Sequence, residues 1–258
     1  MFENGDHMPP LPDKLKIDAI AEAICEVRFE SVESRDLPEL AVSRLAEFSE
    51  WKMFKKQRLP IWDIPAPMRM RDPNLKNQPL MELRNADGTR IVKFGANVFS
   101  YHVLAPYPGW AAFQPELGEV LEFLFQAFED FSAKRIGFRY INILNEVDHG
   151  LRDITQLNLS VAVAEDQLNC PLNLNFIEEL ENKSHTAMVR VASPEFVTAP
   201  PEIVFSASID IDVYTPIEFS TNDINFALGW IETAHGFEKK EFFNLFTNEM
   251  LAELVDQS

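Results

Sequence analysis

Three groups of side chains in this 258-residue chain have the types and spacing to do chemistry. The first is "RIGFRYIN", which puts Arg135 and Arg139 on one face of a strand and Tyr140 and Asn142 on the other. A mid-strand arginine can hold a carboxylate or phosphate through two parallel hydrogen bonds. Arg28, with Glu22 and Glu26 as the nearest counter-charges, offers the same chemistry on an earlier strand. If protein carboxylates take up these guanidinium groups, they are structural; if not, they form an anion site. The second group is Tyr107-Pro108-Gly109-Trp110. Pro108 fixes φ and Gly109 permits positive φ, so a type II turn is expected. Tyr107 and Trp110 then serve either as an aromatic platform for a flat ligand or partner or, as we favour, as punctuation between a strand and a helix. The third group is acidic. Glu232, His235 and Glu238 follow one another at i, i+3 and i+6 on a helix, half of a di-iron carboxylate motif whose other half has no counterpart here. Asp210 and Asp212 share a strand face about 7 Å apart, and Glu146, Asp148 and His149 follow a strand in "NEVDHG". A solvated face or an exposed loop accounts for each set, and no metal or cofactor is expected.

The elements that must position these residues are read from periodicity. In "AIAEAICEVRFES", Ala23, Cys25, Val27 and Phe29 alternate with Glu22, Ile24, Glu26 and Arg28, as in a half-buried strand. Asp36 caps a helix that runs through Leu37, Leu40, Ala41, Leu45 and Phe48. Residues 55–79 carry five prolines and read as irregular, with one short strand at most. Two strands flank Asp87-Gly88, a hairpin signal. Leu117, Leu121, Leu124, Phe125 and Phe128 stripe a long amphipathic helix, and residues 133–144 form an alternating strand. This β-α-β-β-α-β order predicts a ferredoxin-like unit over 16–146, after a flexible tail at 1–15. A second antiparallel α+β unit over 147–258 is expected to pack on it and cover its open sheet face. Its clearest strand is "PEIVFSASIDIDVY", and its end is helical, with Ser220 or Thr221 as cap and a bend near Gly236.

Composition narrows the function. Forty-one acids oppose 23 bases, a formal charge of −18, which repels nucleic-acid backbones and anionic lipid; solubility is the first explanation for it, and attraction to a basic protein partner the sharper alternative. No apolar run reaches the roughly 18 residues of a membrane span. The acidic N-terminus lacks the apolar core of a secretory signal, so a cytoplasmic protein is expected. Cys25 and Cys170 read as reduced, buried residues. Exposed edge strands would suit a homodimer. The chain has no Gly-rich nucleotide loop, no nucleophile elbow and no His-Glu-x-x-His or Cys-based zinc spacing.

"IAEAICEVRF", "YPGW", "RIGFRYIN" and "WIETAHGFEKKEFFNLFTNEM" together resemble a sporadically distributed, uncharacterised family of bacterial proteins of about this length. The resemblance implies a bacterial cytosolic setting and directs attention to Glu22, Arg28, Tyr107, Pro108, Gly109, Arg135, Arg139, Tyr140, Asn142 and His235. It implies no reaction. Two functions are carried forward. One is a non-catalytic protein-binding or regulatory module with an acidic surface. The other is an enzyme or a small-anion or ligand-binding protein, with Arg28, Arg139, Glu22 and His235 converging between the two units.

Overall fold

The alternation in Ile20–Glu30 is satisfied by a central strand, β1, hydrogen-bonded on both sides. A computed structural model describes residues 11–30, 42–43, 45, 53–127, 129–180, 183–198 and 203–255. The other strands are β2 (Lys55–Arg58), β3 (Met81–Arg84), β4 (Arg90–Phe94), β5 (Val98–Leu104), β6 (Ser132–Leu144), β7 (Ala162–Val163), β8 (Asp166–Gln167), β9 (Asn173–Glu179), β10 (Thr186–Ala192) and β11 (Ala207–Tyr214). Nine of them form one sheet in the order β2-β3-β4-β5-β1-β6-β11-β10-β9, with every neighbouring pair antiparallel. β7 and β8 make a separate two-residue hairpin.

The helices are α1 (Ala66–Arg71), α2 (Pro73–Lys76), α3 (Trp110–Gln126), α4 (Glu146–His149), α5 (Ile224–Asn244) and α6 (Asn248–Leu254). α3 buries Phe113, Leu117, Val120, Leu121 and Leu124. α5 runs unbroken through Gly236, burying Ala227, Trp230, Ile231, Ala234, Glu238, Phe242 and Phe243. Both long helices lie on one side of the sheet, against the inward residues of β1 and β6 and of β10 and β11.

Several expectations change. The strands of 147–258 do not stack on the open face of the first half; β11 pairs with β6 and lengthens the sheet edge to edge. Their apolar sides, Ile209, Ile211 and Val213 with Ala187, Val189 and Val191, are buried on the side α5 covers. One long helix thus buries what a second layer would have buried. The Asp87-Gly88 stretch gives three strands rather than two, because the chain turns again at Gly95–Val98. Asp223, not Ser220 or Thr221, caps α5 by accepting from the Asn225 and Phe226 amides. Thr247 caps α6. Cys25 is buried but Cys170 is exposed. The helix expected from Asp36 falls almost wholly outside the described residues, although Val42 and Leu45 are in the core. No helix among the described residues is long and apolar enough to cross a membrane.

The β4–β5 turn shows how closely this sheet is closed. A Cβ on Gly95 would lie 2.5 Å from Val98 Cγ1 and 2.6 Å from the Gln78 carbonyl oxygen. The second contact is to backbone that cannot swing aside. Gly95→Ala is therefore expected to lower unfolding free energy by roughly 1–3 kcal/mol, as overpacking does. Urea denaturation of the two proteins measures this directly; an unchanged midpoint would show that the turn relaxes freely.

Candidate functional site

Strand alternation sorts the predicted site residues onto two faces of β1 and β6. Glu22, Arg28, Arg135 and Arg139 lie on the face away from the long helices; Tyr140 and Asn142 face α5. Arg28 and Arg135 are opposite one another in register. Like charges so placed repel, and Glu26 Oε1 sits between them, 2.8 Å from Arg28 Nε and 3.1 Å from an Arg135 nitrogen. Arg135 also reaches Asp212 at 2.9 Å and lies over the Tyr214 ring. It does so by folding across Gly137, where a Cβ would meet its guanidinium nitrogen at 2.5 Å. Arg139 grips Asp210 with two bonds of 2.6 Å. Glu22 accepts from His102 Nδ1 at 2.7 Å, while Ser100 Oγ lies 2.8 Å from Nε2. Burial pushes the Glu22 carboxyl up, but the His102 hydrogen bond and nearby positive charge outweigh it and leave the group lowered. Burial lowers His102, so a neutral imidazole donates to an ionised Glu22. The arginines on this face thus have protein carboxylates as partners, and the expected convergence of Arg28, Arg139 and Glu22 with His235 does not occur.

The other face holds a cavity of about 180 Å³. Its walls are the segment before β1, the Tyr107–Trp110 turn, β6 and α5. Gly109 has φ 86° and ψ 155°. The positive φ is as expected, but this ψ is far from a type II turn and belongs to a region that glycine alone tolerates. Through it the chain passes directly into α3, with Trp110 as first helical residue. The Trp110 indole nitrogen donates to Glu232 at 3.2 Å, and Gln114 donates to the same carboxylate at 2.6 Å. The indole face is stacked on His235, with ring centroids 4.1 Å apart and planes 13° apart. Tyr107 and Tyr140 join hydroxyls at 2.7 Å, and the Tyr140 hydroxyl lies 3.4 Å from His235 Nδ1. Four of the eight predicted residues, Tyr107, Trp110, Tyr140 and His235, are therefore brought together here.

Asp18, Asn142 and Glu238 also line the cavity, brought there by tertiary packing that no local motif announces. Glu238 is 3% exposed, and burial raises its carboxyl well above the usual range, against an Asn142 hydrogen bond that lowers it. Asp18 is raised by burial too, although its side chain accepts from the Ile20 amide at 2.9 Å. His235 is lowered to about 4, first by burial and then by the Lys239 charge. The Glu232–His235–Glu238 set does not converge. At 100° per residue, positions i and i+6 lie 120° apart around a helix, and Glu232 turns to Trp110 while Glu238 faces the core. Glu146 pairs with Arg152, and the Asn145 side-chain amide donates to Asp148. Among the described residues no three His, Cys, Asp or Glu side chains are grouped to hold a metal ion.

No protein-family model matches the chain, and no curated protein matches it.

The two buried titrating groups pull stability in opposite directions. His235 has a folded pKa below its unfolded value, so its contribution is complete above about 6.5 and is lost as pH falls toward 4. His102, His149 and His185 are also lowered by burial and share this sign. Glu238 is raised, so stability is lost as pH rises through its folded pKa. His235→Gln should therefore recover about 2–3 kcal/mol of the wild-type loss between pH 6.5 and 4. Glu238→Gln should gain on the wild type as pH rises from about 4.5, the ordinary carboxyl value at which the unfolded wild type begins to ionise. Denaturant midpoints across pH test both, and parallel curves for wild type and variants would refute the burial argument.

Proposed function

We propose that the chain binds a small organic ligand in the cavity between β6, α5 and the Tyr107–Trp110 turn. The observation that carries this is a wall of rings held in fixed orientation around buried polar groups. Trp110 is held by Glu232 and by the His235 stack, and Tyr107, Tyr140 and His235 are linked through their polar atoms. A cavity with an apolar lining and a few convergent polar groups is the usual form of a small-molecule site. An engineered cavity of about 150 Å³ accepts benzene, so the available space suits one ring with a short substituent.

The acidic excess supports a second reading, a regulatory module that docks a basic protein partner in a bacterial cytosol. The mutual pairing of the charges on the open sheet face agrees with it, since those groups then serve architecture and leave recognition to the wider acidic surface. The strand order β6-β1-β5-β4 supports a ferredoxin-like arrangement for the first half.

Ligand-detected NMR with a collection of small aromatic and heteroaromatic compounds tests the first reading. Ala19 is buried at the cavity wall, so Ala19→Phe fills the space. Compounds that bind the wild type should lose binding in a folded Ala19→Phe protein. Binding that persists unchanged in the filled variant, or no binding to the wild type, overturns the ligand reading.

A further inference from the structure

Glu238 sits at i+4 from Ala234 and i−4 from Phe242, in the apolar stripe of α5, where a glutamate has no reason of packing to be. It is almost wholly buried, it lines the cavity, and no lysine or arginine among the described residues pairs with it. Lys239, the nearest cation on the same helix, turns away to Asp13 at 3.1 Å. Asp18 enters from the segment before β1 and also lacks an ion-pair partner among the described residues. A buried carboxyl without a cation must either stay neutral or find a cation elsewhere. Here the neighbouring space is open and walled by aromatic rings, which attract positive charge through their faces.

We infer that the cavity takes an organic cation, one aromatic or alicyclic ring carrying a single ammonium or amidinium group, with Glu238 as its counter-ion. The inference rests on the small-ligand reading of the same cavity and narrows it to a charge class. The ring packs among Tyr107, Tyr140 and Phe242, and the cationic group donates to the Glu238 carboxylate. Glu238 gives up its proton to solvent when the ligand enters. The groups that face Glu238 bear on that proton as follows: Asp18 disfavours ionisation, the Asn142 hydrogen bond favours it, Lys14 lines the cavity, Lys239 is paired with Asp13, and His235, Tyr107 and Tyr140 are neutral at pH 7. The bound cation supplies the ion-pair partner that Glu238 lacks among the described residues.

The test uses three probes of one size, benzylamine, benzyl alcohol and benzoate, in calorimetric titrations of the full chain. Experiments are run in two buffers of different protonation heat, so that released protons are counted. Benzylamine should bind at least tenfold more tightly than the alcohol at pH 8, and benzoate should not bind. Approaching one proton should be released, and benzylamine affinity should rise up to tenfold per pH unit below the pKa of Glu238. Glu238→Gln should lose that slope and the preference for the amine while still binding the alcohol. That retained binding shows that the variant is folded and its cavity intact. Equal affinity for alcohol and amine, absence of proton release, or an unchanged pH slope in Glu238→Gln overturns the cation assignment and leaves the ligand reading standing. If no probe binds and the compound collection also fails, both fall together.

Discussion

β1 lies between β5 and β6, and its two antiparallel ladders decide which way every candidate side chain points. Between the register shifts that flank it, the β1–β6 ladder from Glu22 to Arg28 is regular, so side chains alternate there and a slip of one would exchange the faces. With Ile24 opposite Arg139 and Cys25 opposite Phe138, the arginines go to one side and Phe138, Tyr140 and Asn142 to the other. The basic residues that invite an anion are separated by the thickness of the sheet from the aromatic residues that invite a flat ligand. No single cleft can use both sets.

The two faces then solve opposite electrostatic problems. On the open face, charge is abundant and cancelled locally. Glu26 bridges two arginines that register places side by side, and the Arg139–Asp210 pair crosses between β6 and β11. Asp212 shows how tight this arrangement is. Burial raises its carboxyl despite the charges of Arg135 and Arg139, so its ionised form depends on those partners staying in place. These pairs span the strands of the two halves of the chain, joining β1 to β6 and β6 to β11. Their main consequence is register and orientation rather than net stability, because desolvation offsets much of the attraction of a partly buried pair. On the helix face Lys239 pairs with Asp13 and Arg90 with Glu116, but Glu238 has no ion-pair partner among the described residues. Glu238 and Asp18 are raised and His235 is lowered, all chiefly by removal from water.

How much of this the sequence disclosed depends on whether a feature is local. The alternation in 20–30 and 132–144 made β1 and β6 legible, along with the sharing of one face by Arg28, Arg135 and Arg139. Gly109 was legible as a positive-φ residue, but its ψ is set by how α3 meets the sheet, which no dipeptide preference contains. The union of both halves in one sheet was not legible. The faces of β10 and β11 alternate in the same way whether they stack on a sheet or extend it, and only the choice of the β6 edge separates the two outcomes. The Tyr107–Tyr140–His235 chain joins residues 33 and 95 positions apart, beyond any periodic signal. Glu238 did carry a local sign that was missed. Counted with Ala234 and Phe242 instead of with Glu232 and His235, it falls on the buried stripe of α5.

That misplaced glutamate is the feature on which the proposed ligand site most depends. A sequence that specifies its fold agrees with itself from level to level, and departures concentrate where something other than stability is selected. Gln or Met at position 238 would fit the same helix without a carboxyl to desolvate. Asn142 is the companion departure, a polar residue on the inward face of β6, 2% exposed, with its amide on the Ile209 carbonyl. On the arginine face the carboxylates and guanidinium groups answer one another, although burial still raises the Asp212 carboxyl. An uncompensated group beside open space is the stronger pointer to a ligand than a satisfied one beside solvent. By that criterion the ligand site we propose belongs between β6 and α5, on the side of the sheet away from Arg28, Arg135 and Arg139.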